Sequence, residues 1–270
     1  MNGGILIVGC GKMGGAMLEG WIDRGTEPQS IHVVEPNGET AETLKSRFGV
    51  NTHGDATQLP EGFAPAVVVL AVKPQVMDKV LPDYKGLART GAVFLSIAAG
   101  KTIAFFEGLL GEDAAIVRTM PNTPAAIRRG MTVAVGNAWV SDAQKTLCTS
   151  LLEAVGRVEW IDDEALMDGV VAVSGSGPAY VFLLAEAMTQ AGVKAGLPEA
   201  FAAKLARQTV AGAGELLFRA DEEPAVLRQN VTSPGGTTEA ALNVLMAEDG
   251  LQPVLDAAIA AAARRSKELG

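Results

Sequence analysis

The chain has little from which to build a metal centre, a disulfide frame or a histidine-centred acid–base site. Its 270 residues include two cysteines, Cys10 and Cys148, and two histidines, His32 and His53. The cysteines form no C-x-x-C and no zinc spacing, so neither a disulfide framework nor a metal site is expected. Both histidines lie in the first quarter, so chemistry placed later in the chain must do without imidazole. Positive charge is also scarce. The formal net charge of −9 argues against nucleic acid and against an anionic membrane surface as main partners. The opening residues Met1-Asn2-Gly3-Gly4 lack the basic region of a secretory signal. No apolar run reaches about 18 residues without a charge or a glycine, so no membrane span is expected. These absences together point to a reducing cytoplasm.

What the chain does have is apolar material for a sizeable core, 48% of residues, in a length that suits one large domain or two ordinary ones. Gly4–Gly9 reads as a short buried strand, and Gly9-Cys10-Gly11-Lys12-Met13-Gly14 follows as a G-x-G-x-x-G. A helical pattern over Met13–Arg24 comes next and stops at Gly25, and Ile31–Val34 is a second strand ending in Glu35. The glycines have separate tasks. Gly9 makes the tight turn, Gly11 lets a pyrophosphate approach the backbone, and Gly14 lets helix and strand pack closely. Strand, loop, helix and terminal acid together predict dinucleotide binding. Glu35 suits the ribose hydroxyls of NAD and would repel a 2′-phosphate. The turn Pro36-Asn37-Gly38 offers N–H groups that could still hold a phosphate, so NAD and NADP both stay open. Cys10 reads as a small turn residue rather than a reactive thiol.

Further strands are expected at Val67–Val72, Ala92–Ile97, Ala114–Arg118, Met131–Val135 and Arg157–Ile161, with a helix over Ser141–Val155. The ends after Val8, Val34, Leu70, Ile97 and Val117 would line one edge of a doubly wound, Rossmann-type sheet. The dinucleotide would run along that edge over Gly9, Gly11, Lys12, Met13 and Gly14, then Glu35 and Pro36. It would continue past Ala71, Val72, Lys73 and Pro74 to Ala98, Ala99 and Gly100. Lys73 reads equally as a solvated charge. Met120 and Asn122, in a loop stiffened by Pro121 and Pro124, are candidates for substrate contact. The run Asp162-Asp163-Glu164 suits a solvated helix start better than a metal.

Beyond about residue 161 strand signals stop. Alanine-rich helical patterns cover Leu166–Val173, Ala179–Ala195, Ala200–Arg219 and Leu251–Leu269. The division expected is a dinucleotide-binding domain over 1–161 and a helical domain over 162–270. Ser174-Gly175-Ser176-Gly177-Pro178-Ala179 follows no strand, so it reads as a helix junction with Pro178 in the first turn. Helices apolar on more than one face, as over Tyr180–Leu184, must be buried, which predicts an obligate dimer through this half.

Val231–Ala240 reads Val-Thr-Ser-Pro-Gly-Gly-Thr-Thr-Glu-Ala and leads straight into a helical run. A Pro-Gly-Gly turn followed by a helix start exposes N–H groups, a cradle for a small anion. The first acid, Glu239, comes after the cradle residues, so no acidic cap is expected to fill it. The glycine loop already supplies a phosphate site, which leaves this cradle for a substrate carboxylate.

From end to end the chain resembles the pyrroline-5-carboxylate reductase family. The resemblance rests on Gly-Cys-Gly-Lys-Met-Gly at 9–14, Ala-Val-Lys-Pro at 71–74 and Ser-Ile-Ala-Ala-Gly at 96–100. It continues in Met-Pro-Asn-Thr-Pro at 120–124, Ser-Gly-Ser-Gly-Pro-Ala-Tyr at 174–180 and Val-Thr-Ser-Pro-Gly-Gly-Thr-Thr at 231–238. It implies reduction of 1-pyrroline-5-carboxylate to L-proline, the last step of proline biosynthesis, with NADP(H) favoured by the family and NAD(H) admitted by Glu35. It also implies a helical dimerisation domain, often with five dimers in a ring. Lys12 departs from the family's usual asparagine, and Glu35 from residues kinder to a 2′-phosphate. The carboxylate would be held by N–H groups of Gly236, Thr237 and Thr238, with the Gly235 turn and the Ser233 hydroxyl. By resemblance the Thr238 hydroxyl bonds the imine nitrogen.

Two other functions fit the same outline. A 3-hydroxy-acid dehydrogenase of the 6-phosphogluconate type would place a catalytic lysine on the long helix opening the second domain. Ser174–Glu186 has none, and Lys194 comes late. A non-catalytic dinucleotide-binding protein would have no use for the hydroxyl-rich cradle.

Overall fold

A computed structural model describes residues Gly3–Leu269. Met1, Asn2 and Gly270, at the ends of the two expected domains, lie outside the described residues. The strands are β1 (Ile5–Val8), β2 (Ile31–Val34), β3 (Asn51–His53), β4 (Val67–Leu70), β5 (Val93–Ser96), β6 (Ile116–Met120), β7 (Gly130–Gly136) and β8 (Gly156–Trp160). They form one sheet in the order β3-β2-β1-β4-β5-β6-β7-β8. From β3 to β6 all pairs are parallel; β7 runs antiparallel to β6, and β8 is parallel to β7. Chain order reverses between β1 and β4. That switch point opens the crevice at the carboxyl ends of the strands where ligands of such sheets bind.

The burial patterns of β1 and β4, Ile-Leu-Ile-Val and Val-Val-Val-Leu with every residue buried, call for cover on both faces. One face packs against α1 (Lys12–Asp23), α2 (Gly38–Phe48) and, beyond them in sequence, the helix Asp142–Leu152, through Met17, Leu18, Trp21, Leu44, Leu151 and Leu152. The other receives Met77 from α3 (Met77–Val80), residues flanking α4 (Lys85–Ala88), and Ile103, Phe106 and Leu110 of α5 (Ile103–Leu110). Asp142–Leu152 is α6, and its Ser141–Gln144 capping box fixes its start.

The chain separates into two compact units. The first runs through Gly175 and resumes from Ala263; the second is Ser176–Ala262. The last strand ends at Trp160, yet the first unit goes on past it. Met167, in α7 (Met167–Val170), packs into the sheet's second apolar layer, and Ala172 is fully buried. A π-helical turn, Val171–Gly175, leads on to α8 (Gly177–Lys194), which has Pro178 in its first turn. By length and composition, the helical stretch Glu164–Lys194 would suffice to cross a bilayer. No such stretch was expected, because charges and glycines interrupt every long apolar run. The π turn carries the helix through Ser174–Pro178.

The second unit holds α8, α9 (Glu199–Arg219), α10 (Pro224–Asn230), α11 (Thr237–Leu245) and the start of α12 (Leu251–Leu269). α8 packs on α9 where Gly192 meets Ala202. No residue of α8 is buried, and Phe182 and Leu183 are 62% and 63% exposed.

Candidate active site

The glycine loop is built for close approach. Gly9 adopts φ +78°, and a Cβ there would stand 2.6 Å from Val72 Cγ1. A Cβ on Gly14 would come within 3.3 Å of Ala71 Cβ. The loops after β1 and β4 therefore abut, bringing Gly9–Gly14 together with Ala71 and Val72. Gly11 is the N-cap of α1, with no side-chain cap and no acid in the first turn, and nothing lies within 4 Å of where its Cβ would be. Open N–H groups and open space fit a pyrophosphate. Lys12 is exposed at the first helical position and Met13 is half-buried behind it.

Glu35 stands at the end of β2 beside this loop. Its Oε2 accepts from the N–H of Cys10 at 3.2 Å and its Oε1 from the N–H of Asn37 at 3.0 Å. The Asn37 N–H is therefore not free to hold a phosphate, as the sequence reading allowed. Asn37 caps α2 by accepting from the Thr40 N–H at 2.8 Å. Pro36 is exposed at the turn. Burial, and then the charge of Glu35, push the Cys10 thiol up to about 12. His32 and His53, both half-buried, face one another at 2.9 Å on β2 and β3, and the His53 carbonyl accepts from the Glu35 N–H at 2.9 Å.

Along the same edge, Lys73 and Pro74 open a short 3-10 turn, with Lys73 exposed. Ala98 is buried, Ala99 exposed, and Gly100 takes φ +75°. Ser96 supports this loop: its Oγ accepts from the Ala98 N–H at 3.2 Å, and its carbonyl accepts from Thr119 Oγ1 at 2.8 Å. Met120 ends β6 and touches Gly175, where a Cβ would collide with its terminal methyl. The Asn122 amide is engaged rather than free. Its Nδ2 donates to the Ser174 carbonyl at 3.2 Å, and its Oδ1 accepts from the Met131 N–H at 2.9 Å. Asn122 thus ties the β6 loop to the helix junction.

Sequence reasoning missed Arg118. It is buried, and its Nη1 donates to Glu164 Oε1 at 2.6 Å; the same oxygen accepts from the Ile103 N–H at 2.9 Å. A lone charge in an apolar strand was the available signal. Glu164 is therefore not part of a solvated helix start, whereas Asp163 caps the turn by accepting from the Ala165 N–H at 2.8 Å.

The cradle lies in the second unit. Gly235 has φ +72°, and the Gly236 N–H donates to the Ser233 carbonyl at 3.0 Å, closing the turn. That N–H is not available to a ligand, contrary to expectation. α11 begins at Thr237 with Gly236 as an N-cap that has no side chain. Its first intrahelical bond runs from the Ala240 N–H to the Gly236 carbonyl, 3.2 Å. The N–H groups of Thr237 and Thr238 precede that bond and have no partner within the helix. A second correction concerns Glu239. Its Oε2 accepts from the Gly235 N–H at 2.7 Å, so an acid does reach back to the cradle.

Residues 164–269 match the family model described as pyrroline-5-carboxylate reductase dimerisation, and residues 4–100 match one described as NADP oxidoreductase, coenzyme F420-dependent. The pyrroline-5-carboxylate reductase of Pseudomonas aeruginosa is 41% identical over 98% of this chain and 96% of the relative. The solved structure of a pyrroline-5-carboxylate reductase from Coxiella burnetii is 38% identical, covers 100% of this chain and 99% of its own, and superposes with a TM-score of 0.94. That of Plasmodium falciparum, with NADP bound, is 29% identical, with a TM-score of 0.81 over 100% of this chain and 98% of its own.

Proposed function

The chain belongs to the pyrroline-5-carboxylate reductase family, and on that premise we propose which of its residues carry the reaction. The activity is the reduction of 1-pyrroline-5-carboxylate to L-proline with a nicotinamide dinucleotide, in proline biosynthesis. The substrate is a cyclic imine with one carboxylate. The carboxylate sits on the N–H groups of Thr237 and Thr238, beside the Ser233 hydroxyl. The Thr238 hydroxyl holds the imine nitrogen. The bound dinucleotide supplies hydride. Gly9, Gly11 and Gly14 at the open start of α1, with the loops of Glu35–Pro36, Ala71–Pro74 and Ala98–Gly100, would hold it. Within the first unit, Met120 and Asn122, beside the Ser174 junction, are the candidates for substrate contact.

A threonine hydroxyl is a weak acid. An imine is basic enough to take its proton from water, so this chain needs to hold and orient rather than donate. Holding two reactants in line is worth several kcal/mol of barrier. The observation that carries this reading is the start of α11, which has no side-chain cap and leaves the N–H groups of Thr237, Thr238 and Glu239 without a partner in the helix, in a sequence with hydroxyls at Ser233, Thr237 and Thr238.

Glu35 sets the cofactor balance. Fixed by two N–H groups at the β2 end, its carboxylate accepts from ribose hydroxyls and disfavours a 2′-phosphate, so NADH is used as well as NADPH. The dimerisation region joins two chains through the apolar faces of α8 and α9, which is a more economical cover for Glu164–Lys194 than a bilayer. A ring of five such dimers follows the family. The two buried free thiols suit a reducing cytoplasm. Oxidation of NADH and NADPH is to be followed with 1-pyrroline-5-carboxylate and, separately, with 3-hydroxy acids and NAD(P). Turnover with the imine alone supports the reading; turnover with a 3-hydroxy acid alone overturns it.

A further inference from the structure

We propose that Glu239 is a positioning residue of the carboxylate cradle. It locks the Pro234–Gly235 turn so that the N–H groups of Thr237 and Thr238 stay aimed at the substrate. The inference rests on the reading that this cradle takes the substrate carboxylate.

Ser233, Pro234, Gly235 and Gly236 form a four-residue turn. The Ser233 carbonyl accepts from the Gly236 N–H at 3.0 Å, Pro234 is second, and Gly235 is third with φ +72°. This is the type II pattern, which needs a positive φ at the third residue. Two adjacent glycines make such a turn easy to form and equally easy to lose, since neither restricts the backbone. Upstream the turn is tethered by Thr232, whose Oγ1 donates to the Arg228 carbonyl at 2.6 Å. Downstream the tether is Glu239.

Glu239 is the third residue of α11. In a capping box the acid at this position bonds the N–H of the N-cap residue. Here the N-cap is Gly236, and its N–H is already taken by the turn. Glu239 reaches one residue further, to the Gly235 N–H, at 2.7 Å. A charge-assisted bond of this length is of the stronger kind. The turn also requires glycine at 236, because a Cβ there would stand 2.9 Å from the Ser233 carbonyl oxygen. With Gly235 and Gly236 both engaged, the N–H groups of Thr237 and Thr238 are the first ones free to be presented. A carboxylate beside an anion site repels its ligand. Glu239 is tolerable there because it bonds the turn and leaves the two presenting groups alone.

The test is steady-state kinetics of the full chain with 1-pyrroline-5-carboxylate, together with product inhibition by L-proline. Three variants are compared with the native chain: Glu239→Ala, Glu239→Gln and Ser233→Ala. Loss of the clamp in Glu239→Ala should raise the KM for the imine and the inhibition constant of L-proline about tenfold each. It should change kcat by less than about twofold and leave the KM for NADPH unchanged. Glu239→Gln, whose amide oxygen can accept the same bond, should bring both constants back to within about threefold of native. Should Glu239→Ala not fold by circular dichroism, Glu239→Asp, too short to reach Gly235, carries the same expectation. An unchanged KM in the alanine variant overturns the proposal. So does a KM lowered in both Glu239 variants, which would make Glu239 a competitor of the substrate. If Ser233→Ala also leaves both constants unchanged, the cradle reading itself fails. If Ser233→Ala raises them and Glu239→Ala does not, only the clamp fails.

Discussion

Glu35 is where two demands meet at a single residue. Its carboxylate is held by the N–H groups of Cys10 and Asn37, at the point where an adenosine ribose would lie. Replacing it by serine removes a charge that would oppose a 2′-phosphate. The ratio of kcat/KM for NADPH to that for NADH should rise about tenfold in Glu35→Ser, the scale of one screened charge–charge contact. A ratio equal to the native one would remove Glu35 from cofactor selection. The same carboxylate acts on its neighbour. Burial first, and then Glu35, push the Cys10 thiol up to about 12, and burial does the same for Cys148. Both thiols stay protonated well above neutral pH, and the thiolate is the reactive form. A disulfide-exchange titration at pH 8 should find neither cysteine in the folded protein and both after unfolding in urea. Rapid reaction of the native protein would contradict that burial.

At the level of elements, the β1–loop–α1 unit separates two kinds of glycine. Gly9 has a positive φ and no room beside Val72, whereas Gly11 has an ordinary φ and open space around it. Gly9→Ala should therefore lower the melting temperature and abolish dinucleotide binding; a left-handed alanine alone costs about 1–2 kcal/mol. Gly11→Ala should melt as the native protein does and still weaken NADH binding about tenfold or more, by filling the space of the phosphate. Calorimetry and a fluorescence titration read the two effects separately, and equal destabilisation by both variants would contradict the assignment. This unit was legible in the sequence because strand, turn and helix are consecutive and their patterns strong. β3 was not: Asn51-Thr52-His53 has no apolar residue and stays half-buried. The reversed direction of β7 was not legible either, since side-chain alternation is the same in both directions. Arg118 finds Glu164 46 residues later, and no local pattern announces that pair. At the cradle, the residue types were readable, but which N–H groups were already engaged was a matter of turn geometry. Gly236 and Glu239 were misjudged for that reason.

At the scale of the whole molecule, the apolar surface of the second unit is the outstanding fact. Phe182 and Leu183 lie more than half exposed on a helix with no buried residue, within the region that matches a dimerisation model. Phe182→Glu combined with Leu183→Glu should shift sedimentation from a dimer or larger species to a monomer. It should also make the melting temperature independent of protein concentration. A double variant that still sediments as the native protein would place the contact elsewhere. In the proposed assignment the cradle of α11 holds the imine and the glycine loop of the first unit holds the dinucleotide. The most direct measurement is imine-dependent oxidation of NADPH and NADH by the native chain and by Thr238→Ala, at saturating cofactor. The native chain should turn over, and Thr238→Ala should bind cofactor equally well with kcat lower by about one to two orders of magnitude. Native turnover in Thr238→Ala, or no imine-dependent oxidation by the native chain, would contradict it.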